Sequence, residues 1–207
     1  MQTLLKGIVE FKEKDFEKYK ELFTSICKHQ DPHTLFIGCS DSRVIPNMIT
    51  KTLPGELFVL RNIANLVPPY REVDEYLATT SGIEYAVKQL NVENIIVCGH
   101  SNCGGCASLF IENTGSDELP ATSKWMNLAK NVLKQVNEQL PDGSLEAKGW
   151  LAEQINVVEQ MKHLLTYPYI KEKYEKKEIN IFGWHYIIET GDVFNYDSKK
   201  GVFELIN

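Results

Sequence analysis

Two short apolar runs, each ending in residues that bind metals, constrain this chain more than any other feature. Leu35-Phe36-Ile37-Gly38 leads into Cys39-Ser40-Asp41-Ser42-Arg43, and Ile95-Ile96-Val97-Cys98-Gly99 leads into His100-Ser101-Asn102-Cys103-Gly104-Gly105. Such runs read as buried strands. Between them lie another strand pattern and helical patterns, an alternation that implies a parallel sheet with right-handed crossovers. Parallel strands bring their C-terminal ends to one edge, where open α/β sheets carry their sites. Cys39, His100 and Cys103 would meet there. Two thiolates and an imidazole make a soft tetrahedral zinc site with the fourth position left for water, the catalytic rather than the structural arrangement. A helix beginning near Gly104 would place its positive end by Cys103 and help keep it ionised. Asp41 can hydrogen-bond that water or ligate the metal itself. Arg43, a planar fork of donors, can hold the carboxylate away from the metal.

The rest of the chain supplies a frame for that edge. Residues 4–28 intersperse Ile8, Phe11, Phe16, Tyr19, Leu22, Phe23 and Ile26 with charges, which predicts an amphipathic helical arm. Strands are expected over 34–39, 57–60 and 94–98, and helices after Pro46, over 74–90, from Gly104 through Phe110, and over 121–140 and 145–166. The period changes near the C-terminus. Residues 179–188 read as a strand, Thr190-Gly191-Asp192 as a turn, and 193–196 and 202–206 as antiparallel edge strands. The expected fold is a single α/β domain over 1–207. It has a mostly parallel central sheet flanked by helices, an antiparallel C-terminal edge in the 31–207 core, and a helical arm over 1–30. An arm and an exposed edge both need covering, which predicts an oligomer.

Composition removes several alternatives. A net charge of −6 opposes nucleic acid, whose phosphates need clustered Lys and Arg. Lys171, Lys173, Lys176 and Lys177 are interleaved with Glu172, Glu175 and Glu178, as on a solvated helix face. The five cysteines are an odd number and too few for a disulfide scaffold. Cys103 and Cys106 form a Cys-x-x-Cys, but Gly104-Gly105 between them and His100 before them fit a metal loop better than a redox pair. The N-terminus lacks a secretory apolar core, and no run approaches the ~20 apolar residues of a membrane span. A cytoplasmic protein with free thiols is expected, with no membrane partner.

With these motifs laid out, the chain resembles the β-class carbonic anhydrases. Cys-Ser-Asp-Ser-Arg-Val at 39–44 and Gly-His-Ser-x-Cys-Gly-Gly at 99–105 match the family's zinc motifs. Arg61-Asn62-Ile63-Ala64-Asn65, Leu66-Val67-Pro68-Pro69-Tyr70 and Gly183-Trp184-x-Tyr186 are similar as well. The resemblance spans roughly residues 25–205. It implies a zinc enzyme that hydrates CO2 to bicarbonate, built as a homodimer or a multiple of dimers whose N-terminal helices wrap the partner. It implies Cys39, His100 and Cys103 as the Zn2+ ligands and Asp41 and Arg43 as a catalytic dyad. It also implies the plant-like, open subtype. Gln30, nine residues before Cys39, matches that subtype's glutamine, and Phe58 and Tyr85 match the aromatics lining its CO2 pocket. The bicarbonate-inhibited subtype carries a tryptophan where Phe36 stands, although it shares Arg61 and Tyr186. Two rival readings keep the same motifs: a zinc hydrolase acting on carbon disulfide or carbonyl sulfide, and a non-catalytic zinc module in which Asp41 is a permanent fourth ligand.

Overall fold

A computed structural model of the chain describes residues 1–72, 77–111 and 119–207. Six strands, β1 (Thr34–Cys39), β2 (Leu57–Asn62), β3 (Asn94–His100), β4 (Asn180–Tyr186), β5 (Val193–Asp197) and β6 (Val202–Leu205), form one sheet in the order β2-β1-β3-β4-β5-β6. The first four in that order are parallel, and β5 and β6 add the antiparallel edge. The two motif-bearing strands are therefore central neighbours. Their register sets Gly38 opposite Cys98, so β1 and β3 end within a residue of each other at one edge, where Asn62 of β2 stands opposite Cys39 on the other side.

Ten α-helical segments are described: α1 (Gln2–Glu10), α2 (Phe16–Lys18), α3 (Lys20–Ile26), α4 (Pro46–Thr50), α5 (Ala78–Glu84), α6 (Gly104–Ser108), α7 (Pro120–Met126), α8 (Lys130–Gln139), α9 (Leu145–Leu164) and α10 (Pro168–Glu175). The helix expected over 74–90 is α5 with its π-type continuation Tyr85–Gln89; residues 74–76 lie outside the described residues. The long helix expected over 121–140 is broken by a 3-10 turn at Asn127–Ala129 between α7 and α8. The helix opened by Gly104 ends at Ser108, before Phe110. Ser144 caps α9, its hydroxyl accepting from the Ala147 N–H at 3.1 Å. The Lys/Glu segment is the solvated α10, with Lys176 paired to Glu172 across one turn.

The two faces of the sheet are filled differently. On one face Leu35, Ile37, Ile95 and Val97 pack against Ile83 and Val87 and, from α9, Val157 and Leu164. Fully burying each such side chain contributes about 1.5–3 kcal/mol. Two glycines let α9 lie close: a Cβ at Gly99 would sit 2.7 Å from Val157 Cγ2, and one at Gly183 2.8 Å from Val157 Cγ1. The other face carries a smaller cluster that, among the described residues, is built of strand side chains, Phe36, Ile96 and Cys98 with Leu57, Val59, Trp184 and Tyr186. The arm, α1 to α3, has no buried residue. Phe16 and Phe23 stack at 5.4 Å, while Leu4, Leu5, Ile8 and Val9 stay exposed.

Candidate metal centre

The ends of β1 and β3 and the loop after β3 bring three ligand types together. The Cys39 and Cys103 sulfurs and a His100 ring nitrogen lie within 4.8 Å of one another. All three side chains are buried. His100 Nδ1 lies 2.9 Å from the Ser101 carbonyl. A carbonyl only accepts, so Nδ1 carries the proton and Nε2 presents its lone pair. That Nε2 is buried without a hydrogen-bond partner among the described residues. A desolvated acceptor beside two thiols is an unfavourable arrangement until a cation joins them. Tetrahedral zinc, with bonds of about 2.0–2.3 Å, sets its ligand atoms about 3.5–3.8 Å apart, so the cluster has the right size and donor set.

The thiols point the same way. The hydrogen bond to Cys103, followed by burial, pushes the Cys39 thiol up to about 12. Cys103 is likewise pushed up to about 12, first by its hydrogen bond with Cys106, while the contact with Cys39 pulls the other way and burial adds to the rise. Two buried sulfurs hold their protons tightly until a metal replaces them. Cys98 is pushed up to about 12 by burial alone in large part and is an inert strand thiol.

Asp41 and Arg43 form a bidentate pair beside the cluster. Arg43 Nε donates to Asp41 Oδ1 at 2.9 Å and Nη2 to Oδ2 at 2.7 Å, and the Arg43 backbone N–H adds a third bond to Oδ1 at 3.0 Å. The Arg43 side-chain bonds, against the opposing effect of burial, hold Asp41 well below the usual carboxylate range. Asp41 Oδ2 is 3.9 Å from His100 Nε2, so the carboxylate borders the ligand cluster with both oxygens engaged by Arg43. Arg61 reaches the same loop from β2, donating to the Cys39 carbonyl at 2.9 Å and the Asp41 carbonyl at 2.6 Å.

Gln30, Phe58 and Tyr85 stand apart from this cluster within one chain. Phe58 is opposite Leu35, four residues before Cys39, which at a strand rise of ~3.3 Å is about 13 Å along the sheet. Tyr85 lies with its ring 5.9 Å from that of Phe58 and is 46% exposed. Gln30 is exposed and precedes β1, at the same far end. His33, hydrogen-bonded to Thr34 Oγ1 at 2.6 Å, belongs to that end too.

A buried polar stripe on α9 lies against nearby loops. Glu153 accepts the Cys103 N–H at 2.9 Å, Asn156 donates to the Ala64 carbonyl at 2.9 Å, and Gln160 accepts the Val67 N–H at 2.8 Å. These residues satisfy backbone groups of loops that lie under the helix. The spacing at positions i, i+3 and i+7 was visible, but on a surface helix the same spacing is an ordinary solvated face.

Comparison with known proteins places this geometry. The sequence pattern of the family described as carbonic anhydrase matches residues 34–193. A carbonic anhydrase from Helicobacter pylori strain J99 is 41% identical over 97% of this chain and 92% of its own length. The solved β-carbonic anhydrase CcaA superposes with a TM-score of 0.95 at 35% identity, covering 100% of this chain and 99% of that one. A structure from a study of two tetrameric β-carbonic anhydrases of Sordaria macrospora gives a TM-score of 0.82 at 30% identity, covering 94% and 95%.

Proposed function

The chain belongs to the β-class carbonic anhydrases, and we propose that its reversible hydration of CO2 to bicarbonate and a proton runs on a zinc ion held by Cys39, His100 and Cys103. The observation that carries this is the buried cluster of two sulfurs and an unpartnered imidazole nitrogen within 4.8 Å. When bound, zinc supplies a Lewis acid that acidifies water enough to attack CO2 near neutral pH. Asp41 orients the attacking water by accepting its hydrogen in a hydrogen bond. Arg43 keeps that carboxylate ionised and engages both of its oxygens, so Asp41 would be held from ligating the metal, which disfavours a permanently closed, non-catalytic site. Arg61 holds the backbone of residues 39–41 in place. Cys39 and Cys103, as thiolates, cancel the charge of a divalent ion, so the rate should climb with pH above neutrality.

The same reading takes Gln30, Phe58 and Tyr85 as the substrate pocket of the open subtype. Gln30 would donate to the oxygen on which negative charge develops, and the two rings would line a small apolar pocket. With Phe58 about 13 Å from its own chain's cluster and Tyr85 packed beside it, they would have to reach a zinc centre in a second copy. That requirement, the arm without a buried residue and the small strand-only cluster that the described residues show on one sheet face support a homodimer or a multiple of dimers. In this reading residues 1–207 are one domain with an arm. No helix among the described residues is long and apolar enough to cross a membrane. The five free cysteines suit the reducing cytoplasm.

The test is stopped-flow CO2 hydration combined with metal analysis. One zinc per chain and activity proportional to zinc are expected; activity in protein stripped of metal would sink the reading. A rate profile across about pH 6.5–9.5, with and without added bicarbonate, decides the subtype. A single titration with ordinary product inhibition is expected, and a steep loss at low pH deepened by bicarbonate would exclude the open form.

A further inference from the structure

One peptide bond in the metal loop is held from both sides by side chains, Arg43 on its carbonyl and Glu153 on its N–H. Asn102 has a left-handed backbone, φ 55°, so the peptide between Asn102 and Cys103 turns its carbonyl and its N–H out of the regular hydrogen-bond ladders. The carbonyl of Asn102 accepts from Arg43 Nη2 at 3.1 Å. The N–H of Cys103 donates to Glu153 Oε1 at 2.9 Å. The second oxygen of Glu153 accepts from His185 Nε2 at 3.1 Å. Glu153 and His185 are 3% and 2% exposed, and the His185 ring is wedged against Trp150, 5.0 Å away, and Phe203, 6.2 Å away.

We infer that Glu153 is a positioning residue for the metal centre: through the Asn102–Cys103 peptide it sets both the direction of the Cys103 sulfur and the seat of Arg43. This rests on the zinc carbonic anhydrase reading above and adds a residue to it. A buried carboxylate is costly to desolvate unless its oxygens are satisfied, and an apolar residue of similar size would fill the same space beneath α9. What an apolar residue cannot do is accept the Cys103 N–H. Without that acceptor the peptide is free to rotate, and rotation moves two things together. It re-aims Cys103, whose Cα is the peptide's next atom. It also withdraws the Asn102 carbonyl from the guanidinium that orients Asp41. His185 in turn fixes the free end of the Glu153 carboxylate, so α9 and β4 jointly brace the loop that follows β3. Partners that orient a metal ligand in this way typically change metal affinity or activity by about 10–100-fold when removed.

The experiment compares full-length wild type with Glu153→Ala and Glu153→Gln. Zinc affinity is read by chelator competition, the sulfur-to-cobalt charge-transfer bands are read in cobalt-substituted protein, and CO2 hydration is followed by stopped flow. Glu153→Ala should weaken zinc about 10–100-fold, shift the cobalt bands and lower kcat more than it changes KM. Glu153→Gln keeps an oxygen for the Cys103 N–H and should restore affinity and bands to within about threefold of wild type. A folded Glu153→Ala with wild-type affinity and an unmoved cobalt spectrum would overturn the inference, whatever its melting temperature, because a merely structural contact moves only the latter. Should Glu153→Ala fail to fold, Glu153→Asp replaces it. That variant keeps the charge but withdraws the oxygen by about one C–C bond, ~1.5 Å, and wild-type affinity and spectrum in it would equally overturn the inference. Wild-type protein that binds no zinc would defeat the zinc reading and this inference together; wild type that is loaded and active beside unaltered variants defeats the inference alone.

Discussion

The ligand cluster and the far end of the sheet differ in how complete they are within one chain. At the cluster, Cys39, His100 and Cys103 are buried and Asp41 and Arg43 are mutually engaged. The surrounding loops are held by Arg61 from β2 and by the polar stripe of α9. At the other end Gln30 and Tyr85 are exposed, Phe58 is half-buried, and the arm leading to them turns Leu4, Ile8 and Val9 to the outside. The first region is complete within the chain; the second, in the proposed reading, becomes a pocket only when another chain joins it. Metal binding should therefore be a property of one chain and full catalysis a property of the assembly.

The largest effect should come from breaking the finished end. Cys39→Ala should lose stoichiometric zinc and at least about a thousandfold in CO2 hydration, measured by metal analysis and stopped flow on the same sample. Full zinc in that variant would remove Cys39 from the ligand set. The next effect is a pH dependence at the same end. With both thiols pushed up to about 12 in the metal-free fold, zinc must displace their protons. Its apparent affinity should rise with pH throughout the range below that value, by up to about a hundredfold per unit if two protons leave, and titration in weak buffer should register them. The metal-free fold should show the opposite trend. A thiol whose pKa is raised on folding contributes stability that is present below its ordinary value of 9.0 and is lost as pH rises toward about 12.

Arg43→Ala separates zinc from turnover. One zinc per chain should remain, while hydration falls about a hundredfold because Asp41 is no longer held off the metal. A crystal structure of the variant should show the carboxylate moved to the fourth ligand position, and a carboxylate in its original place would count against that role. The smallest effect should come from the unfinished end. A chain beginning at residue 28 should sediment as a smaller species than the full chain, keep its zinc and lose about tenfold in hydration rate. A truncated chain with the same mass and full activity would mean that the arm covers nothing needed for the pocket.

Much of this was legible in the amino-acid order. The runs 34–39 and 94–98 had to be buried strands because nothing polar interrupts them, and the ligands follow them directly. The order of strand and helix patterns required the parallel sheet, and the change of period after residue 179 marked its antiparallel edge. The Asp41–Arg43 pair was readable because two residues of spacing in a loop leave both side chains on one side of a turn. The break at Asn127–Ala129 was not readable, since the apolar period continues through it. Nor was the stripe Glu153, Asn156 and Gln160, whose spacing marks a solvated face and a buried one equally well.

The sequence by itself determined the ligand types, the strands that carry them and the fold that sets those strands side by side, since hydrophobic runs and strand chirality are local properties with few solutions. Only the tertiary structure decided that β1 and β3 end within a residue of each other, that His100 Nε2 turns into the ligand cluster with no hydrogen-bond partner among the described residues, that Glu153 reaches the Cys103 N–H across fifty residues, and that Phe58 and Tyr85 stand far along the sheet from the ligand cluster. Those facts depend on register and on which face of a helix meets the sheet. Both are set by the packing of distant segments, and no local pattern encodes them.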